Sequence, residues 1–229
     1  MKKLLTSIIA CSLIIVSIAG CSSNEKKDDD TAAIEFKTYV LEENDNGNEK
    51  INEGSNLIEI DEEETPKATI TKSGKNAKVK NLTNSQITTI RNNLIDSVNK
   101  ERKKNSKKTV SKNTTLQKTG NIRAKETVKK WSHTRPNKKK WTTVLTANGI
   151  SNKKLKAGEN LAKISTKAKA SYSASFIKQL SQALHASLMA SKTHKSVILD
   201  KNYKTAGIGV YSEIKNGTLT VYVTEHFKN

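Results

Sequence analysis

Apolar residues are distributed in three ways along this chain, and each predicts a different kind of element. Residues 4–23 carry no charge and are rich in Leu, Ile and Val. Residues 22–82 show no sustained periodicity, and polar or charged side chains interrupt each short apolar run. Within them, Asn56-Leu57-Ile58-Glu59-Ile60 could form one short strand, but with nothing to pair with. From Thr83 the pattern becomes helical. Ile87, Ile90, Leu94 and Val98 recur at three- and four-residue steps, and Ser85 is placed to cap that helix. A lysine-rich loop over 103–113 separates it from a second helix carrying Leu116, Ile122, Ala124, Val128 and Trp131, with Gly120 as a weak point. Trp141, Val144 and Leu145 predict a short helix ending at Asn148-Gly149. Phe176, Leu180, Ala183, Leu184 and Leu188 predict a third long helix over 175–190. The chain closes with 206–211 and 218–227, where β-branched and aromatic residues flank Lys215-Asn216-Gly217, a strong hairpin signal. Helices first and a hairpin last make the fold class α+β.

Composition changes this picture in one respect. Only 34% of the 229 residues are hydrophobic and 4% aromatic, low for a chain packed throughout. Residues 22–82 hold 15 acidic and 9 basic side chains, net −6; residues 83–229 hold 7 and 30, net +23. With Lys2 and Lys3 these make the whole-chain +19. The acidic piece reads as a disordered tether, unable to bury enough apolar surface to offset its ordering entropy. Its Glu62, Glu63 and Glu64 lack the ligand spacing of a calcium loop. The basic piece is long enough to bury roughly 68% of its unfolded surface and form its own core. Cys11 and Cys21 are the only cysteines, which excludes a disulfide scaffold. A collagen, a coiled-coil rod and a multi-span membrane protein are excluded too.

Lys2 and Lys3 ahead of the apolar run read as a secretory signal. An uncleaved anchor would need about 20 predominantly apolar residues, and this run is interrupted by Ser and Thr. Ile18-Ala19-Gly20-Cys21 resembles the lipobox of bacterial lipoproteins. That resemblance implies a signal peptide at 1–20 and acyl chains, palmitate among them, on Cys21. Composition and periodicity place a tether over 21–82 and a domain over 83–229, and the resemblance implies that both are held outside the cytoplasm, at the cell membrane or outer membrane surface. The mature chain would then carry no thiol, so cysteine catalysis and thiolate metal sites are gone.

Four segments of the basic piece fall in a telling order: Trp131-Ser132-His133-Thr134, Ala157-Gly158-Glu159-Asn160-Leu161-Ala162, Thr193-His194-Lys195-Ser196-Val197-Ile198-Leu199 and Gly207-Ile208-Gly209-Val210-Tyr211. Together they resemble the CAP superfamily in its bacterial SCP-like form, and Asn99-Lys100-Glu101-Arg102 is similar to the end of that family's first helix. The resemblance covers 85–229. It implies a three-layer α-β-α sandwich and a cleft of two histidines and two carboxylates. His133, Glu159 and His194 match three of the four. The position of the fourth, a carboxylate on the third helix five residues before a tryptophan, falls on Ala183, with Leu188 in place of the tryptophan. Gln179 and Gln182 are near it but neutral. Thr193 replaces a glycine and Lys195 an arginine.

Two histidines and a glutamate match a zinc shell in ligand type, and a zinc-held water could act as a nucleophile. Equally, the three could form a hydrogen-bond network tying loops together. Glu225 and His226 are strand neighbours facing opposite sides, an exposed or internally satisfied pair. His185 reads as a boundary residue, and Trp131 and Trp141 as core. The readings are a non-catalytic surface module binding an anionic envelope polymer, a host surface ligand or a lipid, and a metal-dependent hydrolase of a peptide or cell-wall bond. The positive domain favours polyanionic partners. An intracellular nucleic-acid role is inconsistent with export.

Overall fold

A computed structural model describes residues 34–43, 49–58, 78–151 and 153–229. The signal segment, Cys21 and the tether at 22–33, 44–48 and 59–77 lie outside the described residues.

Helix α1 (Asn84–Lys104) opens on Thr83 rather than on Ser85. The Thr83 hydroxyl accepts from Gln86 N at 3.2 Å, and the Gln86 side chain accepts from Thr83 N at 2.9 Å. This reciprocal pair satisfies two otherwise orphaned donors, which a cap at Ser85 would not. Helices α2 (Thr114–Lys129), α3 (Thr143–Thr146), α4 (Ala174–Ala190) and α5 (Lys192–Ile198) follow. The closing hairpin is strands β5 (Thr205–Lys215) and β6 (Thr218–Lys228). Its turn residues Asn216 and Gly217 have φ of 50° and 74°, the left-handed pair that matches strand twist.

The expected disorder of the tether is corrected at two places. Strands β1 (Ile34–Glu43) and β2 (Glu49–Ile58) pair antiparallel, and β1 adds to β4 (Ala157–Lys167) with Lys37 opposite Ser165 and Val40 opposite Ala162. Asn56, Leu57 and Ile58 therefore do have a partner, in β1. Phe36, Thr38 and Val40 alternate inward, and the Phe36 ring lies 5.6 Å from Phe176 of α4. Three buried side chains on one strand suffice when the receiving edge lies far along the chain, where local periodicity gives no sign of it.

With β3 (Ser111–Lys112) the sheet order is β2-β1-β4-β6-β5-β3. Ala206, Ile208 and Val210 of β5 join Leu94, Val98, Leu180 and Leu184 in the larger core under α1, α4 and α5. The alternate residues of β5 face α2 and α3, where Leu116, Val144 and Leu145 form a smaller cluster. These are the three layers of an α-β-α sandwich. Gly120 is no weak point. A Cβ on Gly209 would fall into the Gly120–Asn121 backbone, and one on Gly207 into Leu116 and Gln117. The bare glycines let α2 lie directly on β5.

Asn99 and Arg102 clamp the larger core. The Asn99 amide bonds both backbone groups of Val110, at 2.8 and 3.1 Å. The fully buried Arg102 guanidinium donates to the carbonyls of Lys108, Ile198, Asp200 and Tyr203 at 2.7–3.1 Å. The motif at the end of α1 thus ties the helix to the turns before β3 and β5.

Candidate functional site

The inner stripe of α2 runs Leu116, Thr119, Gly120, Arg123, Ala124 and Thr127. A charged residue on a stripe facing the sheet needs a partner there, and Arg123 finds Glu159 of β4. Arg123 Nε donates to Glu159 Oε2 at 2.8 Å, and Nη2 to Oε1 at 3.2 Å. The β4–β6 register sets Glu159 directly opposite His226, on the same face of the sheet. His226 Nε2 lies 3.0 Å from Oε2, and His133 Nδ1 lies 2.9 Å from Oε1. Glu159 therefore accepts four bonds, as many as a carboxylate has lone-pair sites. His226 Nδ1 meets the Thr119 hydroxyl at 2.9 Å, and Trp141 stacks on the imidazole at 5.2 Å.

Burial alone would raise the Glu159 pKa. Hydrogen bonds from His133, His226 and Arg123, with the Arg123 charge, overcome it and hold the carboxyl well below the usual carboxylate range. An ionised carboxylate only accepts, so both facing ring nitrogens are donors. The network continues outward. Arg123 Nη1 bonds Glu126 at 2.9 Å, and Arg135 grips Glu126 by Nε and Nη2. Burial would raise the Glu126 pKa as well, but the two arginines lower it. Arg123, Glu159 and His226 side chains are fully buried, while His133 keeps 13% exposure. Of the residues bonded to Glu159, only His133 meets solvent; the outer members Glu126 and Arg135 do so as well.

Glu159 and His133 of the expected trio are thus bonded together. The structure places His194 on α5, its ring Nδ1 2.7 Å from the Ser191 hydroxyl that caps the helix. The His194 carbonyl accepts from Asn160 Nδ2, which also donates to Glu225 at 3.0 Å. Asn160 and Glu225 lie on the sheet face opposite Glu159 and His226, as strand alternation requires. The Glu225–His226 pair is buried, not exposed; His226 is bonded through both ring nitrogens, whereas Glu225 Oε1 has no hydrogen-bond partner among the described residues. Burial pushes the Glu225 carboxyl up to about 7, against the Asn160 bond. Ala183 is a core residue under α4, as is Leu188; Gln179 is buried and Gln182 exposed. His185 sits half-buried on the same helix, and burial lowers its pKa. Trp131 and Trp141 are half-buried.

Zinc fits poorly at this carboxylate. A cation bound to Glu159 would have to displace histidine donors and sit beside a guanidinium already 2.8 Å away. Among the described residues, no group of three or more His, Cys, Asp or Glu side chains is placed to hold a metal ion.

Sequence reasoning missed Arg123, Glu126, Arg135 and the central role of His226. The arginine on the α2 stripe is the signal that could have found the first. Also missed was Glu49, on the edge of β2, whose Oε1 accepts from Ser132 Oγ at 2.9 Å and His133 N at 2.7 Å. The chain's only arginines, Arg91, Arg102, Arg123 and Arg135, all bond internally. Its domain lysines, such as Lys138, Lys139, Lys140, Lys153, Lys154 and Lys156, are exposed.

Three solved structures are similar. An extracellular SCP-domain protein of Bacillus anthracis is 18% identical over 65% of this chain and 44% of its own, with a TM-score of 0.43. This chain therefore spans less than half of that protein. An outer surface protein of Borrelia burgdorferi is 15% identical over 66% of this chain and 98% of its own, TM-score 0.47. A cysteine-rich secretory protein of Staphylococcus aureus is 15% identical over 62% and 40%, TM-score 0.39. No curated protein matches the chain. The family model for CAP, the cysteine-rich secretory protein family, matches residues 95–227, more than half of the chain and all four motif segments, and the chain belongs to that family.

Proposed function

We propose that this chain is a lipoprotein held in the cell envelope through Cys21, displaying a non-catalytic CAP domain that binds an anionic ligand. The observation that carries the non-catalytic reading is the saturation of Glu159. Its four acceptor sites are filled by Arg123, His133 and His226, so Glu159 itself offers neither an open ligand position nor a free lone pair to act as a base. The same network rigidifies the junction of α2, β4 and β6. Binding then falls to the surface. The lysines project outward, while the arginines are spent on the interior, so the exposed charge is that of mobile ammonium groups. Such a surface attracts polyanions by potential and not by shape. Among the described residues no helix is long and apolar enough to cross a membrane. Attachment is assigned to acyl chains on Cys21 because Ile18-Ala19-Gly20-Cys21 resembles the lipobox.

Retention of the mature chain on immobilised heparin tests the binding. It should weaken steeply as salt rises, because each neutralised charge releases a counterion. Retention indifferent to salt would rule out charge as the driving term. Stoichiometric zinc on freshly purified protein would overturn the closed-network reading. For the anchor, Cys21→Ala should move the protein from the membrane to the soluble fraction; continued retention would point to an uncleaved helix.

A further inference from the structure

The Ser132–His133 turn presents a receptor for one carboxylate oxygen, and the domain builds that receptor without help from the hairpin that fills it. Arg123 Nη2 donates to the Ser132 carbonyl at 2.7 Å and holds it inward. In a trans peptide the carbonyl and the following N–H point in opposite directions, so the His133 N–H is thrown outward. The Ser132 hydroxyl accepts from Thr134 N at 2.9 Å, which leaves its own proton free to point the same way. Two oriented donors thus converge on a single point, 2.9 and 2.7 Å from Glu49 Oε1. Lys163 adds positive charge nearby, its Nζ 5.0 Å from the Trp131 ring and 4.8 Å from Tyr39 of β1. The donors belong to the part matched by the family, residues 95–227, and Glu49 to the appended hairpin.

We infer that the Ser132 hydroxyl and His133 amide form a carboxylate-binding subsite which Glu49 occupies in cis, and that a ligand carboxylate competes with it. A glutamyl side chain on an extended strand is the form already seated there. The hairpin is then an intramolecular competitor lying beside His133, the partly exposed partner of Glu159. Glu49 contributes no cation to the lysine surface, so heparin retention should not fall in Glu49→Ala.

The test follows the His133 amide resonance of the full-length chain by nitrogen-15 NMR, with acetate titrated against chloride at constant ionic strength. In Glu49→Ala the His133 amide proton should move upfield, and acetate should return it saturably. If Glu49 fills the subsite about nine-tenths of the time, acetate binds the unsubstituted chain about tenfold more weakly. Adding Ser132→Ala to Glu49→Ala should abolish the response. Equal acetate affinity with and without Glu49, an unmoved His133 amide in Glu49→Ala, or a response that survives Ser132→Ala would each overturn the assignment. The dispersion of the same spectra reports that each variant is folded.

Discussion

Replacing Arg123 with Met keeps an unbranched apolar stem and removes the guanidinium, and the structure sets what that should cost. The Arg123 and Glu159 side chains are both fully buried, so no water can solvate a carboxylate left behind. The Ser132 carbonyl loses its partner as well, while Glu126 keeps Arg135. Removing one member of a buried pair costs about 3–5 kcal/mol, mostly the penalty of the stranded charge. For a chain of this size that is roughly 2–4 °C of melting temperature per kcal/mol. The loss should depend on pH. The folded pKa of Glu159 lies below its unfolded value, so the stability it contributes is present above about pH 4.3 and is lost as pH falls further. Met at 123 weakens that depression. The gap between the two proteins, measured by urea denaturation, should therefore be widest near neutral pH and narrow in acid. A gap under about 1 kcal/mol at neutral pH, or one that widens in acid, would refute the account of Glu159 as a charge held by Arg123.

Gly209→Ala drives a methyl group into the Gly120–Asn121 backbone and should lower stability by about 3 kcal/mol or more, at the upper end of overpacking costs; an unchanged thermal melt would contradict the close contact. Arg102→Met strips four carbonyls of their donor and strands the buried two, those of Ile198 and Tyr203, at a cost of about 2–6 kcal/mol, and Arg102→Lys should recover only part, because an ammonium lacks the fork. Full recovery by Lys would show that charge and not geometry holds the clamp. Glu225 behaves opposite to Glu159. Its folded pKa is raised, so ionisation disfavours folding as pH climbs from about 4.3 to about 7 and levels off above. Glu225→Gln should gain stability over the unsubstituted chain across that window, and parallel pH profiles would sink the idea.

What the sequence made legible follows from the range of the forces involved. Helix periodicity, the Asn216-Gly217 turn and the order of the motif segments are local, and α1, α4 and the closing hairpin appear where those patterns put them; α2 stops at Lys129, short of Trp131, and buries Arg123 and Thr127 rather than Ile122 and Val128. The hairpin of β1 and β2 depends on an edge supplied by β4, and no short-range pattern marks it. His133 and Glu159 were legible as chemistry because their residue types are unusual. Arg123 was legible only as a charge on a helix, although its place between Gly120 and Thr127 puts it on the buried stripe. His226 reads in the sequence as a pair with its neighbour Glu225, whereas its partner comes from the strand alongside.

The division of cations between interior and surface has a chemical consequence. An amine-acylating reagent would meet the lysines first, erasing most of the domain's positive charge while leaving the arginine clamps and the Glu159 network untouched. A dicarbonyl reagent selective for guanidinium groups would find Arg102 and Arg123 shielded until the fold opens. The two reagents therefore separate what the surface contributes from what the frame contributes, and the rate of modification at Arg102 and Arg123 becomes a clock for opening of the sandwich.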